Sequence, residues 1–124
     1  MNDLITSYDL QSHFDNEDFV LKTQKQITKD FAKFNLIFPE NFETVAYSKE
    51  NIEILISEQV AELMKEGETR LLQLLYTIDI PEKQFLSITT ESNFIQLLAE
   101  KILFREAYKI FLRTKFSSPT NTIE

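Results

Sequence analysis

One glycine, Gly67, must serve every tight turn in a chain of 124 residues. Hairpins and sandwiches spend glycine wherever the backbone turns through positive φ, so a chain this poor in it can make few such turns. Helices need little glycine and little proline, and only Pro39, Pro81 and Pro119 are present. The sequence therefore predicts an all-α protein, a single bundle of about four to six helices ending in a long C-terminal helix. One domain over 1–116 is expected, followed by a polar, disordered tail over 117–124. Eleven phenylalanines and no tryptophan imply an aromatic core.

Hydrophobic spacing locates the elements. A short helix is expected near the start, with Leu4, Ile5 and Tyr8 on one side. Asp15-Asn16-Glu17-Asp18 then combines capping side chains with acids that the helix dipole favours in a first turn. Phe19, Val20, Thr23, Ile27, Phe31 and Phe34 follow at helical spacing, while Lys22, Lys25, Lys29 and Lys33 gather on the other side. This predicts an amphipathic helix over 16–34. Ser48 caps the next one, which carries Ile52, Leu55, Ile56, Val60, Leu63 and Met64. Gly67 either ends that helix or kinks a longer one. The run from Leu71 to Ile78 is apolar on nearly every side, and Pro81 is placed to open a short helix over 81–88. Between these elements Leu36, Ile37 and Phe38 make an apolar connector, which either plugs the end of the bundle or docks a partner.

The last helix is expected from Glu91 or Ser92 to about Phe116. Its apolar residues, from Phe94 to Leu112, go almost all the way round a helical wheel. Such a helix belongs at the centre of a bundle, or between the core and a second subunit. Threaded through it are Lys101, Arg105, Lys109 and Arg113, spaced by four. Glu58, Glu62 and Glu66 repeat that spacing in the middle helix. The two rows are either solvated faces with local pairs, or they face one another or the same rows of a second copy. Glu100 falls among Leu103, Phe104, Ala107 and Phe111 on the wheel, so it is expected to be a buried charge needing a partner such as Arg70 or a lysine.

Composition removes several chemistries. With no cysteine there are no disulfides, thiolate nucleophiles or thiolate metal sites. His13 is the only histidine, and no glycine-flanked serine offers a nucleophile turn. Phosphate-cradling loops need several glycines. Carboxylate metal sites survive longer, because Glu50 and Glu53 form a Glu-x-x-Glu pair and Glu58 and Glu62 extend the acidic face. Helical magnesium pyrophosphohydrolases also need a following Glu-x-x-Asp, and here Tyr76 stands three positions before Asp79. A helix-turn-helix over 71–88 would offer DNA only Lys83 as a base in its second helix.

Net charge is −7, but it is uneven. Residues 1–90 hold 16 acids and 8 bases, whereas 91–116 hold 3 acids and 5 bases. That balance disfavours nucleic acid and anionic membrane as main partners. No spanning segment and no secretory leader are evident, so a cytoplasmic protein is expected. These observations together predict a helical protein–protein interaction or adaptor module without a cofactor, acting on another protein or on a second copy. Its partner surface is expected at Lys101, Arg105, Lys109, Arg113, Leu36, Ile37 and Phe38. The alternative is a divalent-metal hydrolase using Glu50, Glu53, Glu58 and Glu62.

Overall fold

The computed structural model describes the backbone over residues 7–123 and side chains over residues 10–115. Its helices are α1 (Ser7–His13), α2 (Glu17–Ala32), α3 (Lys49–Met64), α4 (Glu68–Ile78), α5 (Glu82–Leu86) and α6 (Phe94–Ile123), with a 3-10 turn at Glu40–Glu43. Every regular element among the described residues is helical, as the scarcity of glycine requires. The Leu4 and Ile5 positions of the first helix lie outside the described residues. So do the side chains of the tail over 117–124.

Local signals set the helix ends. Asn16 starts α2 by accepting the Phe19 N–H at 3.1 Å, with Glu17 and Asp18 in the first turn. The helix stops before 34 because Asn35 turns into the left-handed region, φ 63°, letting the Leu36 N–H reach back to the Phe31 carbonyl. Ser48 caps α3 on the Asn51 N–H at 3.1 Å. Gly67 sits at φ 112° and ψ 158°, a region essentially confined to glycine, so it separates α3 from α4 rather than kinking one helix. Asp79 closes α4 in the left-handed conformation, φ 80°, and Pro81 opens α5.

α6 lies at the centre and packs against α1, α2, α3 and α4. Leu98, Ala99, Ile102, Leu103, Ala107 and Ile110 are buried, and among the described side chains no α6 residue is a large exposed apolar one. Four neighbours therefore account for an apolar pattern that one flat interface could not cover. The main core joins Ile27 and Phe31 of α2 to Ile52, Ile56, Val60 and Leu63 of α3, to Leu71, Leu74, Leu75 and Ile78 of α4, and to Leu98 and Ile102.

The connector is tied down by one buried amide. Gln24 donates through Nε2 to the Phe42 carbonyl at 2.5 Å and the Val45 carbonyl at 2.9 Å, and its Oε1 accepts the Tyr47 N–H at 2.7 Å. Phe38 stacks on Phe42 with ring centroids 4.6 Å apart and meets Phe31 edge-on. Truncating Gln24 unpairs three backbone groups, of which the Phe42 carbonyl is buried, and such a group costs about 1–3 kcal/mol when left unpaired and cut off from water. Gln24→Ala should thus lower the unfolding free energy by about 2–4 kcal/mol in urea, whereas exposed Gln73→Ala should stay within about 0.5 kcal/mol. Equal small effects at both positions would remove the clasp from the account.

Candidate functional site

The seam between α2 and α6 holds the buried charges among the described residues. At about 100° per residue, the buried residues of α6 form one stripe, and Glu106 falls near its midline. Glu106 is 0% exposed. Asp30 occupies the corresponding place on α2, within the stripe of Phe19, Thr23, Ile27 and Phe31, and is also buried. The buried carboxylate is accordingly Glu106, not Glu100. Glu100 lies on the side of α6 formed by Phe104 and Phe111, which is the half-buried rim of the bundle. Arg70, expected as a partner for Glu100, instead pairs with Glu66 at 3.1 Å and stacks over Phe34.

Lys109 sits between the two acids, its Nζ 3.0 Å from Asp30 Oδ2 and 3.0 Å from Glu106 Oε1. It donates its hydrogen bond to Asp30, and both Glu106 oxygens are buried beside it. Gln26 donates to both Asp30 oxygens at 3.2 Å, and Lys33 stands 4.0 Å from Oδ1. Burial, then the neighbouring Asp30 charge, push the Glu106 carboxyl up to about 9 against the pull of Lys109. Burial also works against ionised Asp30, but hydrogen bonds from Glu106, Lys109 and Gln26 together outweigh it and hold Asp30 below its ordinary value. At neutral pH Glu106 thus keeps its proton, Asp30 carries the negative charge, and Lys109 balances it. With Asp30 and Glu106 buried, this set balances charge inside the protein.

The seam opens outward into a groove of about 530 Å³ lined by Lys22, Lys25, Gln26, Lys29, Ile110, Arg113 and Thr114. Arg113 reaches across from α6 and donates to Gln26 Oε1 at 3.1 Å, so groove and buried acids share one amide. Lys25 and Lys29 are exposed, and among the described residues neither pairs with a carboxylate; Lys22 pairs with Asp18 at 3.2 Å. Two basic rows that were separate in sequence meet here.

The remaining predicted residues are dispersed. Arg105 pairs with Asp79 at 2.6 Å, and Lys101 lines a cleft with Asp79, Pro81, Glu100, Phe104 and Tyr108. Within the chain the row of bases on α6 does not face Glu58, Glu62 and Glu66. Glu62 pairs locally with Lys65, while Lys109 and Arg113 turn toward α2. Leu36 and Phe38 are buried in the core and plug the bundle, whereas Ile37 is 80% exposed. Glu53 pairs with Lys49 at 2.8 Å, Glu50 and Glu58 are exposed, and among the described residues no three acids or histidines converge to hold a metal ion. His13 is half-buried between the rings of Phe19 and Phe111. No helix is long and apolar enough to cross a membrane among the described residues. Comparison with protein-family models, curated proteins and solved structures returned no match.

The buried pair fixes how stability depends on pH. In the unfolded chain Glu106 ionises above its ordinary value of 4.5, but in the folded chain it holds its proton to about 9. The stability this group contributes is complete below 4.5 and falls as pH rises toward 9; Asp30, shifted down, loses its contribution only on acidification. Glu106→Gln preserves the shape and a donor toward Asp30 without a titratable proton. It should therefore raise the unfolding free energy on the order of 2–4 kcal/mol at pH 8 and change it by less than about 1 kcal/mol at pH 5. Denaturant unfolding at the two pH values checks this, and a gain independent of pH would contradict a buried, protonated Glu106.

Proposed function

We propose that this chain is a helical protein-interaction module, an adaptor or regulatory subunit of the cytoplasm, whose partner meets the basic face formed by α2 and α6. One observation carries the reading: on a chain of net charge −7, Lys22, Lys25, Lys29 and Arg113 are collected along one groove. A local charge opposite to that of the whole molecule steers a complementary partner and orients it, which is the usual role of charged patches in recognition. The face also belongs to rigid elements, since α2 is anchored by its clasp to the connector and α6 is held by four helices. The rival reading, a divalent-metal hydrolase, asks Glu50, Glu53, Glu58 and Glu62 to cooperate, and those side chains point to separate tasks.

Two measurements test the proposal. A photo-crosslinking residue at position 29 should trap a discrete partner in cells, and the same residue at exposed position 82 should not. A crosslinker at position 22 of the same groove should trap the same partner, and adding Lys25→Glu/Lys29→Glu should abolish that product while leaving the unfolding temperature unchanged. Equal trapping at positions 29 and 82, or none at either, would refute the reading. Thermal unfolding with millimolar magnesium or manganese should show no shift, because a ion bound only by the folded state would raise the midpoint; a rise of several degrees would favour the hydrolase.

A further inference from the structure

We infer that the groove between α2 and α6 binds an acidic peptide segment of a partner protein, one that sets carboxylates against Lys25, Lys29 and Arg113 and an aliphatic side chain against Ile110. This rests on the protein-interaction reading and narrows it to one class of ligand. Lys22, Lys25 and Lys29 are spaced by three and four, so they line one edge of the groove over about 10 Å, two helical turns. Arg113 closes the opposite edge, and buried Ile110 with Gln26 and Thr114 lies between the edges. Cations on two sides of a short strip whose apolar member is Ile110 match a segment with acids flanking an aliphatic residue.

The two edges differ in kind. Lys25 and Lys29 are exposed ammonium groups on flexible stems, able to follow carboxylates in several positions. Arg113 is held by Gln26, whose amide is in turn held by both oxygens of buried Asp30. Its guanidinium is set in place before a ligand arrives, which reduces the ordering cost of binding. Basic clusters of this sort are a recurring way to read acidic motifs.

A peptide fits better than a nucleic acid. No aromatic side chain lines the groove to stack a base, and the net charge of −7 repels a long polyanion beyond the few cations gathered here. A second copy of this chain is a weaker occupant, because two molecules of that charge repel before the groove can meet Glu58, Glu62 or Glu66.

The full chain should be titrated by fluorescence anisotropy into three probes. They are a labelled 12-residue peptide with glutamates flanking leucines, its glutamine counterpart, and a single-stranded 12-residue oligodeoxynucleotide. At low salt the acidic peptide should bind at about 10–100 μM and weaken at least about fivefold by 0.3 M salt, as expected for a few exposed ion pairs. The glutamine peptide should bind at least about tenfold more weakly. Lys25→Glu/Lys29→Glu should abolish acidic-peptide binding, and Lys83→Glu on α5 should leave it within about twofold. Tighter binding of the oligodeoxynucleotide, equal binding of the glutamine peptide, or indifference to Lys25→Glu/Lys29→Glu would overturn the inference. So would salt-sensitive self-association that the peptide fails to compete. Should the crosslinked partner persist while the acidic peptide does not bind, the interaction reading stands and the acidic class alone falls; loss of both removes the two together.

Discussion

A carboxylate near the midline of the longest helix's buried stripe dictates what must stand beside it. Glu106 is sealed from water, and an isolated buried charge is too costly to keep. Lys109, one turn further along the same helix, can neutralise one carboxylate, yet Asp30 stands across the seam as a second. Three ionised groups would leave one uncompensated negative charge in the interior. Retaining a proton on Glu106 makes the set neutral, and Gln26 satisfies the Asp30 oxygens that Lys109 does not. The need for charge balance thus explains why Lys109, one step of what looks like a solvated row, turns toward α2, while Arg113 meets the same seam through the Gln26 amide.

How much of this is legible from the sequence depends on the range of each signal. Capping is local, so Asn16 and Ser48 mark the starts of α2 and α3 and a single glycine marks the break at residue 67. The all-helical class follows from the same scarcity of glycine. Burial on α6 is not local. With apolar residues on most sides, the wheel does not say which arc faces the core, and Glu100 looks as enclosed as Glu106. The usable signal was a polar residue seven positions after Ala99 and four after Ile102, within one stripe; Asp30, seven after Thr23, repeats it on α2. Spacing by four tells which bases share a side of a helix. What stands opposite them, Asp79, Asp30 or Gln26, depends on contacts 26 to 87 residues apart in sequence.

That distinction relocates the candidate surface. Read as a sequence, the α6 bases are the cations most suited to a partner. In the fold, Arg105 serves Asp79 and Lys109 serves the buried acids, so those two charges are spent within the domain. The α2 lysines, which look like an ordinary solvated face, keep their charge at the surface beside Arg113. The apolar connector shows the same exchange of roles. Leu36 and Phe38 fill the core because Gln24 pins the backbone around them, and only Ile37 is turned outward.

The acids in the seam and the bases in the groove are therefore parts of one arrangement. Asp30 orients Gln26, Gln26 orients Arg113, and the negative charge behind that chain of hydrogen bonds is fixed by the proton on Glu106. Without the proton, two carboxylates would compete for Lys109, the one cation between them. On the proposed reading, a guanidinium held by Gln26 beside exposed lysines would give a partner one fixed point and several adjustable ones. Selectivity in such a groove arises from the fixed point, whereas the lysines contribute mainly to the rate of encounter.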